Sequence, residues 1–274
     1  MNLKITRLSA LFPYGYFVQW TIDSVSPTES GVFLFTLYRS GGPEGPWEQI
    51  FSGTDQYAFK DAFNSIASTL DNLQPNSLRL FQEVHYRVVC LLPSGAQLEC
   101  REETGPAFTD RKMSQYLRKT QRDFRLTLKF NGTRVVVLKR RRWGERCLKC
   151  TDKRTKEVVR PNCVTCWGTG FVGGYWTPFV TYARSNVTSN TSNVGPNQKS
   201  DANDGSFWLP DYPTLERDDV LVRLSDNRRF RLDQQVETQI QLNSAHQEVS
   251  GQELPHDNVL YRYALNPNAI EPLY

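Results

Sequence analysis

The chain has 274 residues, of which 39% are hydrophobic and 23% charged, and its formal net charge is +4. This composition fits two or three compact units and excludes a mainly disordered chain, a collagen-like fibre and a small disulfide scaffold. No apolar run approaches the roughly 18 residues that a membrane-spanning helix needs. Residues 1–10 lack the apolar segment of a secretory signal, so we expect the chain to fold in a reducing cytoplasm.

Charge is distributed unevenly along the chain. Between Arg111 and Arg160 there are 18 Lys and Arg residues against 4 Asp and Glu residues, a balance of +14. Because the whole chain carries +4, the remaining residues carry −10. A basic middle between acidic flanks favours assembly with other copies of the chain as readily as binding of an anionic ligand.

Residues 1–107 have the pattern of short strands separated by turns. Leu3 to Leu8, Tyr16 to Ile22 and Val32 to Tyr38 are candidate strands, and a Gly/Pro-rich turn follows at residues 41–46. A second pair of strands flanks Pro93-Ser94-Gly95, which is a tight-hairpin signal. Short strands at this spacing predict an all-β sandwich.

Several residues of this segment resemble a fibronectin type III module over about 100 residues. They are Trp20, Tyr38-Arg39-Ser40 before the Gly/Pro turn, Trp47 after it, and Tyr86-Arg87-Val88-Val89 before the hairpin. The resemblance implies a β-sandwich that serves as a spacer or a docking surface, with Tyr86 as the family's corner tyrosine. The sequence departs from the family at Gln82, where proline is common. It also departs in an insertion from Ala58 to Ser77, for which a short helix is plausible.

Residues 108–184 form the second predicted unit, which contains most of the basic residues. Thr109 to Arg118 is consistent with a helical turn. Phe124 to Phe130 and Thr133 to Lys139 flank Asn131-Gly132, and this arrangement predicts a β-hairpin. A four-cysteine segment follows, so we expect a β element that is held together by a metal.

Two further units are predicted beyond residue 184. Residues 185–206 are rich in Asn, Ser, Thr, Gly and Asp, which predicts a flexible arm or loop. Residues 207–274 return to a β pattern and predict a small barrel-like unit, so that the whole chain is mainly β. The expected strands of this unit are Asp219 to Leu224, Arg228 to Leu232, Val236 to Leu242 and Val259 to Tyr263.

Four of the six cysteines have the spacing of metal ligands. Cys147-Leu148-Lys149-Cys150 and Cys163-Val164-Thr165-Cys166 are two Cys-x-x-Cys pairs separated by twelve residues. Four thiolates at this spacing are typical of a closed tetrahedral Zn²⁺ site, which is structural because it leaves no open coordination position. The sequence therefore predicts one structural zinc per chain. The alternatives are two disulfides formed after lysis and buried free thiols.

The second pair continues as Cys166-Trp167-Gly168-Thr169-Gly170, which is similar to the repeats of the zinc domain of J-domain co-chaperones. In that family the glycines allow the chain to turn tightly beneath the metal. Only one of the two pairs carries the glycines here, so the resemblance implies local geometry and does not extend to client binding.

The remaining cysteines and the histidines are interpreted as structural. Cys90 and Cys100 lie at the two ends of the first predicted hairpin, where they are either two small buried hydrophobic residues or a disulfide. His85, His246 and His256 are scattered, and no nucleophile, phosphate-loop or metalloprotease motif occurs. We therefore expect a protein that is not an enzyme and has no catalytic residues.

Lys139-Arg140-Arg141-Arg142-Trp143 is a concentrated basic run that leads directly into the first cysteine pair. It could contact the acidic surface of a neighbouring subunit, bind nucleic-acid phosphates without sequence preference, or form a solvated face. These three interpretations remain open at this stage.

Segments beyond residue 140 resemble structural proteins of the tailed-bacteriophage virion, in particular those of the neck and connector region. The segments are Cys163 to Pro178, which includes Gly170 to Pro178, and Asp219 to Val222, Arg228 to Leu232 and Asn258 to Arg262. The resemblance implies a non-enzymatic head-to-tail connector or collar subunit that forms a homo-oligomeric ring. Its partners would be portal, neck or tail subunits, with possible non-specific DNA contact. The alternatives are a tail or baseplate component, a cytoplasmic zinc-ribbon protein that binds nucleic acid, and a chaperone-type adaptor.

Overall fold

The computed structural model describes residues 1–10, 16–23, 25, 29–61, 84–102, 111–152, 154–155, 157–188, 204–240 and 243–265. These residues form a mainly β protein, as the sequence predicts, with one β-sandwich and one closed β-barrel. Within the described ranges, no helix has the length and hydropathy needed to cross a membrane.

The first seven strands form the predicted sandwich from two antiparallel sheets. They are β1 (Asn2–Ala10), β2 (Tyr16–Asp23), β3 (Leu34–Ser40), β4 (Glu48–Thr54), β5 (Ala58–Asp61), β6 (His85–Leu91) and β7 (Gln97–Glu102). One sheet has the order β1-β2-β5 and the other the order β4-β3-β6-β7. The sheets share one apolar core, in which the ring centroids of Trp20 and Phe35 are 5.7 Å apart.

The sequence-predicted insertion begins as a strand. Its first four residues, Ala58–Asp61, are β5, which pairs with β2. The Asp61 carboxylate accepts a hydrogen bond of 2.7 Å from the buried Tyr86 hydroxyl, which ties the two sheets together at the predicted corner tyrosine. The helix predicted up to Ser77 lies, from residue 62 onward, outside the described residues, as does Gln82.

A helix occupies the place of the first strand of the hairpin predicted across Asn131-Gly132. α1 (Arg111–Asn131) is continuous through residues 124–130, so the strand prediction there is wrong. The buried side chains Leu117, Gln121 and Leu128 recur at intervals of four and seven residues, which is the period of a helix face. The Gly132 N–H donates to the Leu128 carbonyl at 2.8 Å, and a Cβ atom at this position would lie 2.4 Å from that carbonyl oxygen, so the end of the helix requires glycine.

Six strands close into a barrel that contains more of the chain than the sequence indicates. They are β8 (Thr133–Leu138), β9 (Phe179–Thr188), β10 (Asp204–Pro210), β11 (Val220–Arg223), β12 (Arg229–Ile240) and β13 (Asn243–Glu253), in the order β10-β13-β12-β11-β8-β9. Phe207 and Phe230 meet inside the barrel, with ring centroids 4.9 Å apart. The boundary predicted at residue 207 therefore falls within β10, and residues 139–178 are an insertion between the neighbouring strands β8 and β9. We call this segment the four-cysteine insertion.

Two local predictions in the C-terminal half are corrected. The arm predicted for residues 185–206 begins and ends as strand, since Thr188 pairs with Asp204 between β9 and β10; residues 189–203 lie outside the described part. The strand predicted for Val259 to Tyr263 is a 3-10 helix, Val259–Arg262. The Asn258 side chain caps this helix by accepting a hydrogen bond of 3.0 Å from the Leu260 N–H, a local interaction that competes with strand pairing.

Candidate metal centre

The four-cysteine insertion folds back on itself as two tight turns. In the first turn the Thr151 N–H donates to the Cys147 carbonyl at 3.2 Å. In the second the Trp167 N–H donates to the Cys163 carbonyl at 2.7 Å. A backbone hydrogen bond of 2.9 Å from Cys147 N–H to the Gly170 carbonyl holds the two turns side by side. Each turn therefore presents two sulfurs to the same point.

The four sulfur atoms form one cluster. Cys147, Cys150, Cys163 and Cys166 have their Sγ atoms all within 4.8 Å of one another. The Cys147–Cys163 Sγ separation is 3.8 Å and the Cys150–Cys166 separation is 3.0 Å. Both exceed the roughly 2.05 Å of a disulfide, and the first equals the spacing of about 3.8 Å that sulfurs at about 2.3 Å from a tetrahedral ion would have. None of the six cysteines is in a disulfide, and this quartet fits a metal ion.

The second turn has the left-handed backbone that the glycine resemblance implies. Gly168 and Gly170 have φ of +80° and +86°, and Trp167 also has a positive φ of 52°. A Cβ atom at Gly168 would lie 2.6 Å from the Pro161 carbonyl oxygen, so a larger residue cannot fit there without moving backbone. The Thr169 N–H donates to the Cys166 carbonyl at 2.9 Å.

Burial disfavours the thiolate form of two of the four cysteines. It raises the pKa of the Cys150 and Cys166 thiols, because a low-dielectric surrounding penalises the thiolate. At Cys163 burial acts in the same direction, but backbone N–H donors at Cys166 and Thr165 outweigh it and lower the pKa to about 6. A divalent cation at the centre of the quartet would hold all four sulfurs as thiolates.

Two tryptophans of the four-cysteine insertion belong to the sandwich core. Trp143 is 2% exposed and Trp176 is 4% exposed, and both belong to the same buried cluster as Trp20 and Phe35. The ring centroids of Trp143 and Phe35 are 5.9 Å apart, and those of Trp143 and Trp176 are 5.3 Å apart. The insertion therefore begins and ends in the barrel while it completes the core of the sandwich.

The basic run from Lys139 to Arg142 is neutralised within the same chain. Lys139 is 3% exposed, and its Nζ lies 2.9 Å from Asp219 Oδ2 and 3.3 Å from Glu216 Oε1. The three arginines that follow have carboxylate partners as well. These pairs are Arg140–Asp218 at 2.9 Å, Arg141–Asp55 at 3.4 Å and Arg142–Glu216 at 2.8 Å. Lys139 and Trp143 are buried, whereas the side chains of Arg140 and Arg142 remain 30% and 37% exposed.

The acidic partners come mainly from one segment, the junction loop (residues 211–219), which joins β10 to β11. The loop also holds the sandwich and the helix. The Thr214 N–H donates to Gln19 Oε1 at 3.1 Å, the Tyr212 ring lies 5.1 Å from that of Phe17, and Arg125 Nη2 donates to Asp211 Oδ1 at 3.0 Å. Sandwich, helix, insertion and barrel thus all meet at this loop.

Sequence reasoning missed the junction loop as a functional segment. In the sequence Asp218-Asp219 is typical of a solvated turn, yet Asp219 is 0% exposed in the structure. Burial raises the pKa of Asp219, and the charge of Lys139 opposes this shift. The sequence shows an acidic segment and a distant basic run of opposite charge. The periodicity of a single sequence does not show whether two such distant segments are in contact.

The other candidate residues are structural in the described chain. Cys90 and Cys100 do not form a disulfide, and burial raises the pKa of the Cys90 thiol to about 12, which agrees with a small hydrophobic role for Cys90. His85 is 5% exposed within β6. His246 stacks on Phe124 of α1 with ring centroids 4.5 Å apart, so it serves to pack the helix against the barrel.

Comparison with models of known protein families gives no match for this chain, and comparison with curated protein sequences gives none either.

Proposed function

We propose that the chain is a non-enzymatic structural subunit of a tailed-bacteriophage particle, of the neck or head-to-tail connector type, which forms a ring with other copies of itself. One structural Zn²⁺ per chain, bound by the four cysteines, fixes the sandwich to the barrel. The observation that carries the proposal is the double attachment of the four-cysteine insertion, through β8 and β9 to the barrel and through Trp143 and Trp176 to the sandwich core.

A zinc ion suits this role because it has no redox chemistry and binds four thiolates in a closed shell. The ion would be held by Cys147, Cys150, Cys163 and Cys166, three of them buried. Such a site leaves no position for a substrate, so its contribution is to the rigidity of the joint. A subunit that transmits load between neighbours needs a joint of this kind, and the phage assignment itself derives from the sequence resemblance.

The pairing of Lys139 to Arg142 with acidic residues of the same chain supports the connector proposal over the nucleic-acid alternative. Electron microscopy of the purified full-length chain tests the connector proposal: we expect closed rings of uniform subunit number. Portal, terminase or tail genes beside the coding sequence are expected as well. A chain that remains monomeric at micromolar concentration, or that turns over a substrate on its own, would contradict the proposal.

A further inference from the structure

One lysine and one aspartate are buried against each other where the four-cysteine insertion leaves the barrel. Lys139 follows β8 and Asp219 precedes β11, and the pairing of Leu138 with Val220 makes the two positions neighbours on adjacent strands. Lys139 is 3% exposed and Asp219 is 0% exposed, and Lys139 Nζ lies 2.9 Å from Asp219 Oδ2. The same nitrogen donates to the Thr214 carbonyl at 2.8 Å, which fixes its position. An amine and a carboxyl group are therefore held in contact and away from bulk water.

This contact is close to the arrangement from which an amide bond can form. Reacting atoms that are held about 3–3.5 Å apart combine far faster than the same groups free in solution. Because Oδ2 is bonded to the carboxyl carbon, a small movement of the Lys139 side chain brings Nζ to that carbon. Burial also raises the pKa of the Asp219 carboxyl, which favours the neutral acid that an amine can attack.

The groups that assist such a reaction surround the pair. Glu216 Oε1 lies 3.3 Å from Lys139 Nζ, near the distance at which a carboxylate accepts a proton. Arg142 Nε holds the other oxygen of that carboxylate at 2.8 Å, and the Glu216 N–H donates to Asp219 Oδ2 at 2.7 Å. Asp219 Oδ1 accepts a hydrogen bond of 2.9 Å from the Arg140 N–H, which can stabilise negative charge that develops on this oxygen. A proton carrier and an oxyanion donor are therefore in place.

A small cavity beside Lys139 keeps out bulk solvent. Its volume is about 10 Å³, and its lining includes Trp20, Tyr57, Trp143 and Trp176 with Lys139 and Glu216. A cavity of this size has room for about one water molecule. The site can therefore release a single water while it excludes the solvent that would hydrolyse a reactive intermediate.

We propose that Lys139 and Asp219 are a modification site, at which Nζ and the carboxyl carbon join in an intramolecular isopeptide bond without help from another protein. A proton first passes from the ammonium group to the carboxylate. The amine then attacks Cγ, and Glu216 carries a proton from the nitrogen to the departing hydroxyl group. One N–C bond forms, one C–O bond breaks and one water leaves. The step therefore needs no oxidant, reductant or cofactor.

The bond closes a covalent loop from residue 139 to residue 219, which contains the whole four-cysteine insertion with β9 and β10. Closing a loop of this length restricts the unfolded chain and so stabilises the folded one. The ion pair persists in any chain that has not reacted, and the mass of a sample shows which form is present. This inference goes beyond the proposed function and does not depend on it.

Mass spectrometry of the denatured full-length chain tests the bond. We expect a mass below that of the sequence by one water molecule. After proteolysis we expect a branched peptide that joins the segments containing Lys139 and Asp219. In E216Q, which keeps the size of a 30% exposed side chain, loss of water should slow at least about a hundredfold. E157Q makes the same change at an exposed position of the insertion and should react like the wild-type chain. Circular dichroism confirms that each variant is folded.

The outcomes separate this bond from other losses of water and from the connector proposal. K139M lacks the nucleophile and should have its full sequence mass; a K139M chain that still lacks one water would overturn the inference. A folded wild-type chain that keeps its full mass after prolonged incubation would overturn it as well, and equal rates in E216Q and the wild-type chain would reject Glu216 as the proton carrier. Rings formed by a chain without the bond would leave the connector proposal standing, whereas a monomer that contains the bond would reject that proposal alone.

Discussion

The barrel and the four-cysteine insertion differ in the amount of apolar side-chain area that they bury within themselves. The barrel has an apolar interior, with Val135, Phe207, Leu221, Phe230 and Val249 each no more than 1% exposed. Within the described residues, the buried cluster of the insertion consists of cysteines with the half-buried Val172 against them. The barrel can therefore be stabilised by apolar burial, whereas the insertion offers a cysteine quartet that fits a metal ion and contacts with its neighbours.

Large aromatic residues of the insertion pack into the core of the sandwich. Trp143 and Trp176 pack into the sandwich, and Arg141 lies over the Trp176 ring at 4.4 Å from its centroid. Leu148 is 82% exposed at the tip of the first cysteine turn. The insertion therefore links the sandwich core to the barrel. From this comparison we infer that a metal ion in the cysteine quartet would stabilise the joint between sandwich and barrel, and three experiments test the inference.

Removing the metal ligands should have the largest effect. In C150S/C166S we expect zinc content to fall from about one ion per chain to none, with the loss of metal-binding free energy on the order of 10 kcal/mol. Hydrogen exchange should then accelerate through residues 139–178 while the barrel interior remains protected. Elemental analysis and exchange mass spectrometry measure both quantities. C100S removes a thiol outside the quartet and should leave them unchanged, and an insertion that stays protected in the ligand variant would contradict the comparison.

Truncation of one aromatic side chain in each region should have an intermediate effect. W143A and F230A should each lower the free energy of unfolding by about 3–5 kcal/mol, because both create buried cavities. In metal-free protein the W143A effect should shrink, since the insertion is already loosened, whereas the F230A effect should persist. Urea denaturation with and without chelator measures this coupling. Equal effects of chelator on the two variants would show that the metal does not hold Trp143 in the sandwich.

Sequence reasoning recovered the features that depend on short-range pattern. Alternating strands, the Pro93-Ser94-Gly95 hairpin and the cysteine spacing each follow from residues close together in the chain, and the structure places the four sulfurs in one cluster. The strand predicted over residues 124–130 failed because Asn131-Gly132 marks a helix end as well as a hairpin turn. Positions 117, 121 and 128 follow the helical period by their burial in the structure, but the polar Gln121 interrupts that period in the sequence.

Long-range pairing could not be obtained from one sequence. The barrel joins β8 and β9 across forty intervening residues, and its register is set by contacts with β11 and β10. The basic run from Lys139 to Arg142 has the same local pattern whether its partners are phosphates, another subunit or the junction loop. Its pairing with Asp219 and the neighbouring acidic residues depends on closure of the whole barrel, which the local sequence does not show.

The smallest effect is expected at the ion pair that links the four-cysteine insertion to the junction loop. In D219N the side chain keeps its shape but loses its charge, and Lys139 retains Glu216 at 3.3 Å. We therefore expect a loss of about 1.5–3 kcal/mol in the free energy of unfolding, the range for a hydrogen bond to a charged group. D233N, at an exposed position on β12, should change it by less than about 0.5 kcal/mol. Chemical denaturation measures both variants, and equal losses would show that the buried carboxylate does not secure the insertion to the barrel.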